Sequence, residues 1–157
     1  MHSGLHLGGR CNFTLSELSG PVSEESKNAW NDVRALILEE VSLISPQMLG
    51  GMSYRLCNIR RGRHDCEPLE YAHEDHMFGK IPLVILLGDF MQLAPIDANR
   101  KRTSLIMTPD SDWSAVARDG RNLFWDGLTD VVLLRETHRF KHWSETRQEY
   151  VEDPVLP

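Results

Sequence analysis

Two aliphatic runs that end abruptly in acid constrain this chain more than any other feature. One reads Ala35-Leu36-Ile37-Leu38-Glu39-Glu40, the other Leu83-Val84-Ile85-Leu86-Leu87-Gly88-Asp89. Consecutive aliphatics bounded at once by carboxylates suit buried strands of a parallel sheet, with polar chemistry gathered at their carboxyl ends. A short apolar run has no helical period, and both runs are of strand length. The fold class that follows is α/β with a mostly parallel sheet.

The stretches between the runs read as helices. Ala29, Trp30 and Val33 recur at helical spacing between Ser23 and Arg34, which places a helix ahead of the first strand. Ser45-Pro46 is a helix start, a hydroxyl cap followed by proline at the first helical position. Met48, Leu49, Met52, Leu56 and Ile59 then form a packing stripe, although Gly50 and Gly51 each weaken that helix by roughly 1 kcal/mol relative to alanine. Residues 60–79 and 97–111 are polar and aperiodic and read as loops. Asp112 to Trp125 reads as helix interrupted at Gly120, Val131 to Leu134 as a third buried strand, and the polar stretch from Glu136 onward as helix. Strands alternating with helices predict layered α/β packing.

At 157 residues, 41% hydrophobic and 25% charged, the chain suits one globular domain with a real core. No run approaches the ~18 apolar residues that a membrane span needs, and no membrane partner is expected. The first residues lack a secretory pattern, and three cysteines (Cys11, Cys57, Cys66) have no framework spacing, which suits a reducing, intracellular setting. The net charge of −6 does not advertise nucleic-acid binding. Arg55, Arg60, Arg61 and Arg63, and separately Arg100, Lys101 and Arg102, form local basic patches that read as solvated surface charge, although an acidic domain can still carry a basic groove.

Chemistry concentrates behind the two strands. Nucleoside triphosphate hydrolysis needs a carboxylate to hold Mg²⁺ through its water shell and a second group to orient the attacking water. Glu39 and Glu40 stand where both tasks are possible. The second run continues Phe90-Met91-Gln92-Leu93-Ala94-Pro95-Ile96. A glutamine amide there can donate to a γ-phosphate oxygen and accept from the attacking water. Asp89 either supports the metal shell or anchors the loop.

The run from Leu36 to Ser45 resembles motif II, the Walker B segment, of the petite-integration-frequency (Pif) family of superfamily 1B DNA helicases. Gly88 through Ile96 resembles that family's motif III, G-D-x-x-Q-L-P-P-V. Leu123-Phe124-Trp125 with Val131 through Phe140 is similar to the approach into motif IV, and the opening His2-Ser3-Gly4-Leu5-His6-Leu7 to the Thr-x-His-Ser segment near the single-stranded DNA path. The matches keep the family's order along nearly the whole chain. The resemblance implies a partial RecA-like P-loop NTPase domain over residues 1–135 and a motif IV segment over 136–157. It implies ATP and Mg²⁺ as cofactors, single-stranded and duplex DNA as partners, and translocation with strand separation as the activity. It places Mg²⁺ on Glu39, the catalytic base on Glu40, the γ-phosphate sensor on Gln92, an arginine reaching the γ-phosphate on Arg139, and DNA-backbone contacts on His2 and Ser3. Asp89 and Gln92 would join Glu39 and Glu40 around the nucleotide. Roles in DNA repair, recombination and telomere maintenance, in the nucleus or a mitochondrion, follow from the family alone.

Three features depart from the pattern. Glu39 stands where the family carries aspartate, and Mg²⁺ demands near-ideal geometry. Ala94 replaces the first proline of motif III. No G-x-x-x-x-G-K-[ST] loop occurs anywhere, so the cradle for the phosphates is missing. The chain therefore reads as an internal piece of a helicase that does not hydrolyse ATP alone. One rival reading is a non-catalytic remnant serving as a scaffold. Another is a small zinc module, because Cys57, His64, Cys66, His73 and His76 lie within a short stretch, though without a paired C-x-x-C knuckle.

Overall fold

A computed structural model describes residues 18, 20–60, 74–95, 103–109, 111–134, 141–144, 146 and 148–152. Among them are three α-helices, a two-stranded parallel sheet and a two-stranded antiparallel sheet, an α/β fold. Helix α1 spans Glu24–Asn31 and strand β1 Ala35–Leu38; helix α2 spans Pro46–Ile59 and strand β2 Leu83–Leu86. Helix α3 spans Ala115–Trp125, followed by strands β3, Lys141–Ser144, and β4, Glu149–Glu152. No described helix is long and apolar enough to cross a membrane.

Each helix starts where a serine can satisfy an orphan backbone donor. Ser23 accepts from Ser26 N, Ser45 from Met48 N and Ser114 from Ala117 N. Losing such a cap costs about 1 kcal/mol. Glu24 and Glu25 add negative charge at the positive end of α1. The far end of α1 is closed from a distance: the Arg60 guanidinium donates to Trp30 O at 2.5 Å, Asn31 O at 3.3 Å and Val33 O at 3.2 Å, while its Nε donates to Gly79 O at 2.7 Å. Arg55 does similar work, donating to Leu18 O, Gly20 O and Pro21 O, and burial lowers its guanidinium pKa. Both side chains are buried. The surface patch expected at Arg55 and Arg60 is thus corrected, because main-chain carbonyls supply the acceptors that water would otherwise supply. Arg61, Arg63 and the patch at 100–102 lie outside the described residues.

Strands β1 and β2 run parallel in register, Ala35 opposite Leu83 through Leu38 opposite Leu86, with α2 between them in sequence. Leu36 and Leu38 are buried, and Val84 and Leu86 pack against the same core. Their alternates are not covered: Ile37 is 52% exposed and Leu83 51%. The expectation of buried strands is corrected in part: the core covers the face carrying Leu36 and Leu38, while Ile37 and Leu83 on the other are half exposed.

Helices α2 and α3 cross at a pair of glycines. A Cβ on Gly50 would clash with Val116 O, and one on Gly120 would clash with Pro46 O and lie 2.5 Å from Gly50 N. Gly50 and Gly120 therefore let two backbones touch. The break expected at Gly120 does not occur, since packing gained at the crossing outweighs glycine's cost of about 1 kcal/mol inside a helix. Tyr54 OH adds a 2.5 Å bond to Asp119 Oδ2 across the same interface.

Two further expectations are corrected. Val131 to Leu134 forms no strand and is exposed throughout, because an apolar run becomes a strand only where a neighbour offers a ladder. The helix expected after Glu136 is, over its described part, the antiparallel pair β3–β4, with His142 opposite Val151 and Trp143 opposite Tyr150. Tryptophan, tyrosine and valine favour strands once a cross-strand partner exists.

Candidate functional site

The carboxyl ends of β1 and β2 lie side by side, and the ladder continues past both strands. Leu87 N donates to Leu38 O at 2.8 Å, then Val41 N donates to Leu87 O at 2.9 Å. The Glu39-Glu40 link is thereby looped around Leu87 and held against Gly88. A Cβ on Gly88 would lie 2.7 Å from Val41 N and 2.9 Å from Val41 Cγ1, so no larger residue fits without displacing the glutamate doublet. This close approach explains the Gly-Asp step at the end of the second aliphatic run.

Glu40 holds a left-handed backbone, φ 55° and ψ 49°, and leads into a short 3₁₀ turn, Val41–Leu43. Non-glycine residues in that region carry strain of order 1–3 kcal/mol and persist only where surrounding structure dictates them. Here the dictating contacts are Val41 N on Leu87 O and Leu43 N on Glu40 O. Ser42, in the same turn, is buried, and its Oγ has no hydrogen-bond partner among the described residues. The sequence carried no signal for that hydroxyl, because a serine behind an acidic pair looks like any polar turn residue.

Asp89 builds the second loop. Its Oδ1 accepts from Met91 N at 2.8 Å, and its carbonyl accepts from Gln92 N at 3.1 Å. Of the two roles open to Asp89, loop anchoring is the one with a geometric basis. The turn leaves Gln92 exposed between Met91 and Leu93, which are also exposed, while Pro95 is buried and fixes the exit. Phe90 ties the turn to α3 by an edge-on contact with Phe124, ring centroids 5.4 Å apart.

Glu39, Glu40, Asp89 and Gln92 are all solvent-exposed and belong to two adjacent connections at one end of the sheet. Among the described residues no three His, Cys, Asp or Glu side chains gather as a metal cage. Mg²⁺ beside phosphates takes one or two carboxylates with water completing its shell, and the exposed Glu39 carries oxygen donors of that kind. For ATP itself the fit is incomplete, since the sequence holds no Gly-Lys-Ser or Gly-Lys-Thr cradle. His2, Ser3 and Arg139 lie outside the described residues. So do His64, Cys66, His73 and the side chain of His76, leaving Cys57, which is half-buried, as the described member of the zinc alternative.

Comparison with protein-family models, with curated proteins and with solved structures gives no match to this chain.

Proposed function

We propose that the chain is a motor segment of an ATP-dependent DNA helicase, built on a RecA-like domain whose nucleotide edge is the paired end of β1 and β2. One observation carries the reading: the hydrogen bonds from Leu87 N to Leu38 O and from Val41 N to Leu87 O draw the glutamate doublet and the Gly88–Gln92 loop together. In phosphoryl transfer the protein contributes positioning and electrostatics rather than covalent chemistry. Glu40 would orient the attacking water and take its proton, Glu39 would hold Mg²⁺, which would neutralise charge on the phosphates, and Gln92 would sense the γ-phosphate. Arg139 would add permanent positive charge capable of forking onto phosphate oxygens. The parent activity would be translocation along single-stranded DNA with duplex separation, five-prime-to-three-prime by family resemblance. Repair, recombination and telomere maintenance, in the nucleus or a mitochondrion, belong to the same proposal.

The test supplies what the sequence lacks. Fusing a Walker A strand-loop-helix ahead of the chain should yield DNA-stimulated ATPase. Glu40→Gln in that fusion should abolish turnover while nucleotide binding, followed by a fluorescent ATP analogue, persists. Full turnover in the Glu40→Gln fusion would sink the assignment. A non-catalytic remnant is the second reading, favoured by Glu39 in the aspartate place together with the missing phosphate loop. A fusion that binds nucleotide yet never turns over would support it.

A further inference from the structure

Helix α3 carries a second feature, away from the carboxylates. Arg118, Arg121 and Trp125 follow one another at helical spacing along one stripe. Trp125 is 50% exposed, and the Arg121 guanidinium carbon lies 5.5 Å from its ring centroid. Both side chains are tethered to one loop: Trp125 Nε1 donates to Leu105 O at 3.0 Å and Arg121 Nε to Met107 O at 3.0 Å. Arg118 donates to Ser111 O at 3.2 Å and remains exposed. Along α3 no carboxylate falls within this stripe: Asp119 turns away to Tyr54 OH, and Asp126, the C-cap residue, lies past Trp125.

We propose that Trp125 and Arg121 form a stacking platform for an unpaired base of single-stranded nucleic acid, with Arg118 one turn back meeting the neighbouring phosphate. The proposal rests on the DNA-motor reading and locates a DNA contact for it. Aromatic rings and guanidinium planes stack on any base, which gives the sequence tolerance a translocating motor needs. Tethering matters because a ring and a guanidinium already held by hydrogen bonds lose little rotamer freedom when a ligand arrives. A protein partner would also use Trp and Arg as anchors. Two arginines in register with no acid between them, on a chain of net charge −6, favour a polyanion. The platform also touches the nucleotide-facing loop through a chain of rings. Trp125 meets Phe124 edge-on at 5.8 Å, and Phe124 meets Phe90 next to Asp89.

Fluorescence anisotropy of a labelled oligo(dT) against the purified chain, across a KCl series, tests this directly. Trp125→Ala should weaken binding about tenfold or more with an unchanged salt slope, as loss of one stacked base requires. Trp125→Phe should retain most of the affinity, which separates stacking from a general packing defect. Arg118→Gln should lower the salt slope by about 0.7, the signature of one lost phosphate contact. Wild-type affinity in Trp125→Ala, or Trp125→Phe as weak as Trp125→Ala, overturns the platform while leaving DNA binding itself intact. Absence of oligo(dT) binding by the wild-type chain overturns both the platform and the DNA half of the motor reading, and leaves a protein-facing patch.

Discussion

Gly88 and Glu40 show how much one backbone position decides at this site. Gly88→Ala would push a methyl to within 2.7 Å of Val41 N, so we expect a loss of about 1–3 kcal/mol, read as a lowered urea midpoint. Glu40→Gly should do the reverse. Relieving a left-handed non-glycine residue returns roughly 1 kcal/mol, so this variant should be more stable than wild type, although it removes the assigned base. A Glu40→Gly chain of lower stability would mean that the carboxylate is engaged in contacts worth more than the strain. Gln92→Ala should leave stability within ~0.5 kcal/mol, since the side chain is exposed. In the Walker A fusion the same change should remove the stimulation of ATPase by oligonucleotide. Stimulation equal to that of the unaltered fusion would count against a sensor role.

Helices α2 and α3 depend on each other through Gly50 and Gly120, where either added methyl meets the partner's backbone. Gly50→Ala and Gly120→Ala should each destabilise by about 1–3 kcal/mol despite alanine's better helix propensity. The pair should cost less than the sum of the two, because the first substitution already forces the helices apart. Additive costs in a denaturant double-mutant cycle would argue that the two sites do not share one crossing. The same elements show what was readable in advance. Ser45-Pro46 announced the start of α2 by local chemistry, and the aliphatic runs announced β1 and β2 by composition. Gly120 looked like a break because propensity is local, whereas the reason for that glycine sits on another helix. The β3–β4 pair was missed for a related reason: strands at Lys141–Ser144 and Glu149–Glu152 are stabilised by each other, not by period.

At the scale of the molecule, burial of the described β1–β2 sheet is one-sided. Leu38 is completely buried, while its neighbour Ile37 on the opposite face of the sheet is half in water. Leu38→Ala should therefore cost about 2–5 kcal/mol, whereas Ile37→Thr should shift the unfolding midpoint by no more than ~0.5 kcal/mol equivalent. A large loss from Ile37→Thr would show that the open face is covered in solution. Long-range clamps hold the layers together. Arg60 links the end of α2 to the end of α1 and to Gly79, and replacing it with methionine would leave four carbonyl contacts without their donor. Thermal unfolding of Arg60→Met should show a loss of about 3 kcal/mol or more, because stranding polar groups in a buried site costs more than the bonds were worth.

What the sequence determined alone was local or compositional: where two strands lie, where α2 begins after Ser45, and which residues at the strand ends carry oxygen and amide chemistry. The tertiary structure decided which of those residues meet. It paired β1 with β2, wrapped Glu39-Glu40 around Leu87, turned Asp89 into a loop anchor and placed Arg55 and Arg60 inside rather than outside. The division has a physical cause. Caps and aliphatic runs act through neighbours along the chain, whereas a close backbone approach or a buried guanidinium depends on partners tens of residues away that no local pattern encodes.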